Sequence, residues 1–214
     1  MRRIATLDDI AKGLDALGRL DPRLVAVRQA AGEVPLRRVE PGFASLVSIV
    51  VSQQVSRASA DAIMGRLVGL VDPLTPEAFV SAGEAAWRAA GLSRPKMRAL
   101  VAIGEALASG ALDLRRAGEL EAGEAIRHMT AVKGIGPWTA EVYLLAAEGH
   151  PDVFPAKDVA LQSAVGDGLG IDPRPGDKAL ASLAESWAPW RSVAARLFWA
   201  YYRNRRGREA APVP

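Results

Sequence analysis

Val132-Lys133-Gly134-Ile135-Gly136-Pro137-Trp138-Thr139-Ala140 is the stretch on which the reading of this chain turns. The residues before Lys133 follow a helical pattern. Those after Pro137 do so again, with Ala140, Tyr143, Leu144 and Ala147 available for packing. Between them, two glycines let the backbone turn sharply and come close to a ligand. Ile135 is placed to bury itself between the two helices and fix their angle. The second helix then starts with unpaired amides and a partial positive charge, an arrangement that favours phosphate. Lys133 adds a cation and Thr139 a hydroxyl. Lys133, Gly134, Ile135, Gly136 and Thr139 are therefore candidate contacts to a polyanion. A bare Gly-x-Gly is more often a plain helix corner with a glycine cap; the longer string is far more specific.

Working outward, helix signals dominate. Thr6 with Asp9 reads as a capping box ahead of Leu7, Ile10, Leu14 and Leu17. Asp21-Pro22 ends that element and caps the next, with Pro22 at its first position. The apolar run Phe43–Val51 could be a strand by composition, but helical neighbours make it a buried helix. Ser56, Thr75-Pro76-Glu77 and Ser93 are further helix starts. Alternating strand patterns, hairpin turns and internal repeats are absent. The expectation is an all-α fold of about ten short helices, two-lobed with a cleft between the lobes, over residues 1–202. Within it the hairpin falls at about 126–148 and a loop at about 150–160. Residues 203–214 read as a basic, disordered tail.

Composition removes several chemistries. The 214 residues contain no cysteine and only two histidines, His128 and His150. That excludes disulfides, thiolate zinc sites, iron–sulfur clusters and a cysteine nucleophile. A net charge of +3 permits a polyanionic partner without demanding one. No apolar stretch approaches the roughly 18 residues of a membrane span. The N-terminus shows no signal-peptide core. A soluble chain, cytoplasmic and nucleoid-associated if bacterial, is expected. Arg94, Lys96 and Arg98 read first as a solvated basic face and only second as a DNA contact.

Val132 through Ala140 resembles the DNA-contacting hairpin of the helix-hairpin-helix DNA glycosylases, the base-excision repair enzymes. The family's following Gly/Pro-rich loop and essential aspartate are matched by Phe154-Pro155-Ala156-Lys157 and Asp158, twenty residues after Trp138. The resemblance extends over residues 40–203. It is strongest to the alkylpurine (3-methyladenine) DNA glycosylase II type, through Ser52-Gln53-Gln54-Val55-Ser56 and Trp187–Ala194 followed by Trp199. The longer bacterial relatives carry an extra N-terminal β domain; a compact form without it is expected.

The resemblance implies a monofunctional glycosylase that hydrolyses the N-glycosidic bond of 3-methyladenine and related alkylated purines after base flipping. Asp158 stands as the catalytic carboxylate, stabilising the cationic sugar and acting with water. By spacing alone Asp158 is a helix N-cap, and both readings can hold. Trp138, Trp199 and Gln53 match base-pocket positions, and Gln54 matches the wedge that fills the vacated stack. Bifunctional relatives place a lysine two residues past the second hairpin glycine; Trp138 occupies that place, so no lyase activity is expected. Val142 and Val159 stand where a bacterial relative has tyrosines, so a less aromatic pocket is expected, which bears on the range of bases accepted. No cofactor is required. Backbone carbonyls of Thr130, Val132 and Ile135 match a family site for a structural Na+ or K+. The implied partner is double-stranded DNA containing alkylated purines, bound by a monomer, with no membrane involved. The alternatives are a DNA-binding module without catalysis, or a glycosylase for deaminated or mismatched bases.

Overall fold

The computed structural model describes residues 3–207, 209, 211 and 212. Among them the chain forms twelve α-helices and one 3-10 turn, with no strand. It divides into two compact units. Among the described residues the first comprises 3–38, 144–207, 209, 211 and 212, the second residues 39–143. No helix of the described residues is long and apolar enough to cross a membrane.

The first unit is built on α12 (Arg191–Arg206), packed by α1 (Leu7–Leu20), α2 (Arg23–Ala31) and α10 (Val159–Leu169). α1 starts at the expected capping box: the Thr6 hydroxyl accepts from the Asp9 amide at 3.2 Å, and Asp9 Oδ2 accepts from the Thr6 amide at 3.0 Å. Every residue from Ser192 to Tyr201 is buried, which makes α12 the core of the unit. Burying an arginine there demands that its donors be paired. The Arg196 guanidinium meets this by donating to the carbonyls of Leu36, Leu145 and Ser192 at 2.7, 2.9 and 3.1 Å. The loop 147–158 and α11 (Asp177–Ala184) complete the unit.

The second unit holds α3 (Phe43–Ser52), α4 (Arg57–Leu70), α5 (Pro76–Ala90), α6 (Arg94–Ala108), α7 (Leu114–Glu119) and α8 (Ala122–Thr130). The unit boundary falls inside α9 (Pro137–Ala146). α3 is the buried helix expected from its composition, with Leu46, Val47, Ile49 and Val51 at 0 % exposure. Phe79 of α5 packs edge-on against Phe43 and stacks on Trp87 with centroids 5.0 Å apart, joining α3 to both ends of α5.

Several details differ from the sequence-based expectation. Twelve helices form rather than about ten. Pro22 occupies the N-cap of α2 rather than its first turn, and Ser93 makes no side-chain cap bond. The basic segment beginning at Arg203 is helical through Arg206. It is held by Arg203 and Asn204 donating to the carbonyls of Glu33 and Ala30 at 3.0 and 2.7 Å, so local charge was a poor guide there. Arg208 lies outside the described residues.

Candidate functional site

The hairpin is built by α8, a tight turn and α9. Val132 and Ile135 amides donate to the Met129 and Val132 carbonyls at 3.2 and 3.1 Å, winding the chain back on itself. Ile135 is 4 % exposed, buried as its position suggested. Gly134 has φ 101°, and a Cβ there would lie 2.7 Å from both Cα and Cβ of Ala99 on α6. Only glycine fits: the turn is pressed onto α6, and that contact sets its position. Gly136 is exposed, and a Cβ on it would meet nothing within 4 Å. Its carbonyl accepts from the Ala140 amide at 3.0 Å, so α9 begins here, with Pro137 at its first position. Lys133 is exposed and pairs with no carboxylate among the described residues.

Thr139 is placed differently from a phosphate contact. It is 2 % exposed, and its hydroxyl accepts from Gln53 Nε2 at 2.9 Å. Gln53 is the C-cap of α3 and is half-buried; Gln54 follows it with φ 57° and stands exposed. A left-handed conformation at a non-glycine residue is strained and persists only where neighbours impose it. One such neighbour is Lys96, whose Nζ donates to the carbonyls of Val51 and Gln53 at 2.8 and 2.9 Å. Burial pulls the Lys96 ammonium below its ordinary range. Arg94 and Arg98 are exposed, as a basic face requires, whereas half-buried Lys96 is turned to structural use. Its partners lie 45 and 43 residues away, so no local pattern announces them.

The aspartate loop belongs to the first unit. Asp152 accepts a two-pronged bond from Arg191 at 2.7 and 2.8 Å. The fully buried Ser192 hydroxyl accepts from the Val153 amide at 3.2 Å and donates to its carbonyl at 3.0 Å. The Asp158 amide donates to Pro155 O at 2.8 Å, and the Gln162 amide group reaches back to Ala156 O at 3.0 Å. Asp158 is the N-cap of α10: its Oδ1 accepts from the Ala160 and Leu161 amides at 2.9 and 3.1 Å. The side chain is 9 % exposed. A helix N-terminus favours negative charge at this place, and the two amides hold Oδ1 at the start of the helix.

Trp138 is half-buried, whereas Trp199 is fully buried with its indole N–H lacking a hydrogen-bond partner. Of the two valines at tyrosine positions, Val142 is buried and Val159, beside Asp158, is 61 % exposed. Gln53, Gln54, Trp138 and the hairpin thus share the second unit, while Asp158, Val159 and Trp199 belong to the first. His128 is structural, its ring meeting the Asp113 backbone at 3.2 Å. His150, expected as a plain loop residue, is buried, and its Nδ1 accepts from the Asp152 amide at 3.0 Å. Among the described residues no group of three or more His, Asp or Glu is placed to hold a metal ion.

The chain is similar to known proteins over most of its length. The family profile described as HhH-GPD superfamily base excision DNA repair protein matches residues 47–189. The structure of the Schizosaccharomyces pombe 3-methyladenine DNA glycosylase Mag1, in complex with abasic DNA, superposes with a TM-score of 0.79 at 29 % identity, covering 90 % of this chain and 95 % of that one. The DNA-3-methyladenine glycosidase of Bacillus halodurans gives 0.78 at 33 % identity, covering 94 % and 93 %. A Mycobacterium tuberculosis protein named "Probable bifunctional transcriptional activator/DNA repair enzyme AlkA" is 34 % identical over 92 % of this chain, which spans only 41 % of that protein's length. Because that profile spans well over half of the chain, and the Bacillus halodurans structure matches it at 33 % identity over 93 % of its own length, the chain belongs to the HhH-GPD superfamily of base excision DNA repair proteins.

Proposed function

We propose that the protein is a monofunctional DNA glycosylase that excises 3-methyladenine and related alkylated purines from duplex DNA. The observation that carries this reading is Asp158, a carboxylate locked at the start of α10 by two backbone amides and directly preceded by a pinned loop. Breaking the base–sugar bond builds positive charge on the sugar, and a fixed carboxylate stabilises that charge without reorganising. An alkylated purine is already cationic and leaves easily, so one carboxylate and water suffice. Relatives named as 3-methyladenine glycosylases support the same substrate class.

The remaining residues take complementary roles. Lys133, Gly136 and the start of α9 hold strand phosphates, and Gly134 and Ile135 keep the turn in place. Gln54 enters the vacated stack, while Gln53 and Trp138 face the flipped base; Trp199 supports the pocket from its buried position. Trp138 stands where a Schiff-base lysine would be needed, so the strand is not cut. The carbonyls of Thr130, Val132 and Ile135 come at and just after the C-terminal end of α8, where the partial negative charge of the helix suits a monovalent cation. The Val132 carbonyl also accepts from Ile135, which leaves it a second lone pair. A Na+ or K+ there would add positive charge next to the phosphate. The chain acts as a monomer on DNA.

Incubating the protein with methylated duplex DNA and identifying the released bases tests the reading. Release of 3-methyladenine without strand cleavage is expected. Binding with no release would indicate a non-catalytic module, and release from deaminated or mismatched DNA instead would indicate another lesion class.

A further inference from the structure

A cavity of about 710 Å³ lies in the second unit, lined by α5 and α6, and Lys133 of the hairpin is part of its wall. Its apolar portion includes Trp87 and Met97. Trp87 is immobilised: it stacks on Phe79 at an interplanar angle of 10° and donates its indole N–H to the Phe79 carbonyl at 2.8 Å. Arg94 and Arg98, one turn apart on α6, and Lys133 are exposed and form no salt bridge among the described residues. By contrast Arg88, also on the wall, pairs with Glu84. Glu105 lies seven residues past Arg98 on α6, roughly 10 Å along the axis.

Three unpaired cations around an aromatic surface, with one acceptor further along, suit a ligand that is anionic at one end and flat at the other. A nucleotide has that form. Grooves for single strands combine the same two parts, a cationic track and aromatic faces on which bases stack. An extended duplex offers only stacked bases and leaves the apolar wall unfilled. An acidic peptide would set its carboxylates against Glu105. The turn itself rests on α6 at Ala99, so a strand held at the hairpin has this cavity as its neighbour.

We propose that this cavity binds an unpaired nucleotide of a DNA strand. Its phosphate meets Arg94, Arg98 and Lys133, its base lies against Trp87, and an exocyclic amine such as cytosine N4 donates to Glu105. The proposal deepens the glycosylase reading by giving the same DNA-binding face a single-strand subsite.

The test uses the full chain and a 5′-phosphorylated, 3′-fluorescein tetradeoxycytidylate, followed by anisotropy across a salt series. Lys133 is left intact. In the Arg94→Gln/Arg98→Gln variant, affinity for the tetranucleotide is expected to fall roughly tenfold. The slope of log affinity against log salt should drop by about 0.7, since the site holds one phosphate and a single strand contributes about 0.7 per phosphate contact. Blunt-duplex binding and base release should match the parent. Quenching of tryptophan fluorescence by the tetranucleotide should vanish in Trp87→Phe, which keeps the stack on Phe79. A double variant that binds the tetranucleotide like the parent overturns the proposal, as does a hexaglutamate peptide that displaces the tetranucleotide at lower concentration. Loss of tetranucleotide binding in the variant, in a protein that releases no base from methylated DNA, would sink the glycosylase reading and uphold the cavity assignment.

Discussion

Lys96 Nζ lies 2.9 Å from the carbonyl oxygen of Gln53 and 2.8 Å from that of Val51, so a side chain of α6 closes the C-terminal end of α3. These carbonyls are orphans of the helix terminus and need a donor. Replacing Lys96 with methionine keeps the stem and removes the donor. A loss of about 1–3 kcal/mol in urea unfolding is expected, the usual cost of stranding partly buried acceptors. The pH dependence has a definite sign. Burial lowers the folded-state pKa of Lys96, so the unfolded chain holds this proton more tightly. The penalty is present at neutral pH and is relieved as pH rises from the folded-state value toward the ordinary 10.5. The parent should therefore gain stability relative to Lys96→Met in the window just below 10.5. A gap that stays flat between neutral and alkaline pH would show that the ammonium is not desolvated.

The two hairpin glycines separate fold from contact. Gly134→Ala places a Cβ 2.7 Å from Ala99 backbone and side chain, at φ 101°. Overpacking and left-handed strain together are expected to cost about 2–4 kcal/mol, read from the unfolding midpoint. Gly136→Ala meets open space. Its cost should stay below about 1 kcal/mol, the difference between glycine and alanine at a helix start. DNA affinity should nevertheless fall for every sequence, because the added methyl stands where a phosphate approaches. A Gly136→Ala protein with parental affinity would remove Gly136 from the interface.

Gln53 and Thr139 form a pair that the sequence only half disclosed. Gln53 matched a base-pocket position and Thr139 read as a phosphate ligand; the bond between them at 2.9 Å spans 86 residues and leaves no trace in local spacing. The elements themselves were legible because their causes are local: the Thr6–Asp9 box, the proline of Thr75-Pro76, the Asp158 cap and the turn at Gly134 all act within a few residues. What stayed hidden is the bracing between elements. A double-mutant cycle on Gln53→Leu and Thr139→Val is expected to give a coupling of about 0.5–1.5 kcal/mol in stability. Additive losses would mean the bond contributes nothing.

The helix cap that Asp158 makes and the catalytic charge proposed for it are divided by different substitutions. Asparagine caps a helix as well as aspartate does, so Asp158→Asn should unfold at the parental midpoint. It removes the negative charge, and base release should fall at least about 100-fold, the scale of losing one preorganised electrostatic partner. Asp158→Ala loses both duties and should also cost about 1 kcal/mol of stability. Asp158→Asn with full activity would leave the carboxylate a cap alone.

The loop that leads to that carboxylate is bonded to Ser192. Its hydroxyl is buried and engages both the amide and the carbonyl of Val153, five residues before Asp158, while the Ser192 amide donates to Pro151 O at 2.9 Å. α12 therefore fixes the loop at two successive points, and the Arg191–Asp152 pair adds a third. In Ser192→Ala the backbone bond to Pro151 survives but both Val153 groups lose their partner inside the protein, where water cannot replace it. A stability loss of about 1–3 kcal/mol is expected. If the loop positions Asp158, the rate of release at saturating DNA should fall while DNA affinity stays near the parent's. A variant in which stability falls but that rate is unchanged would confine Ser192 to the core. Ser192→Thr restores the hydroxyl, so recovery of the rate despite the extra methyl would tie the effect to the hydrogen bonds rather than to packing.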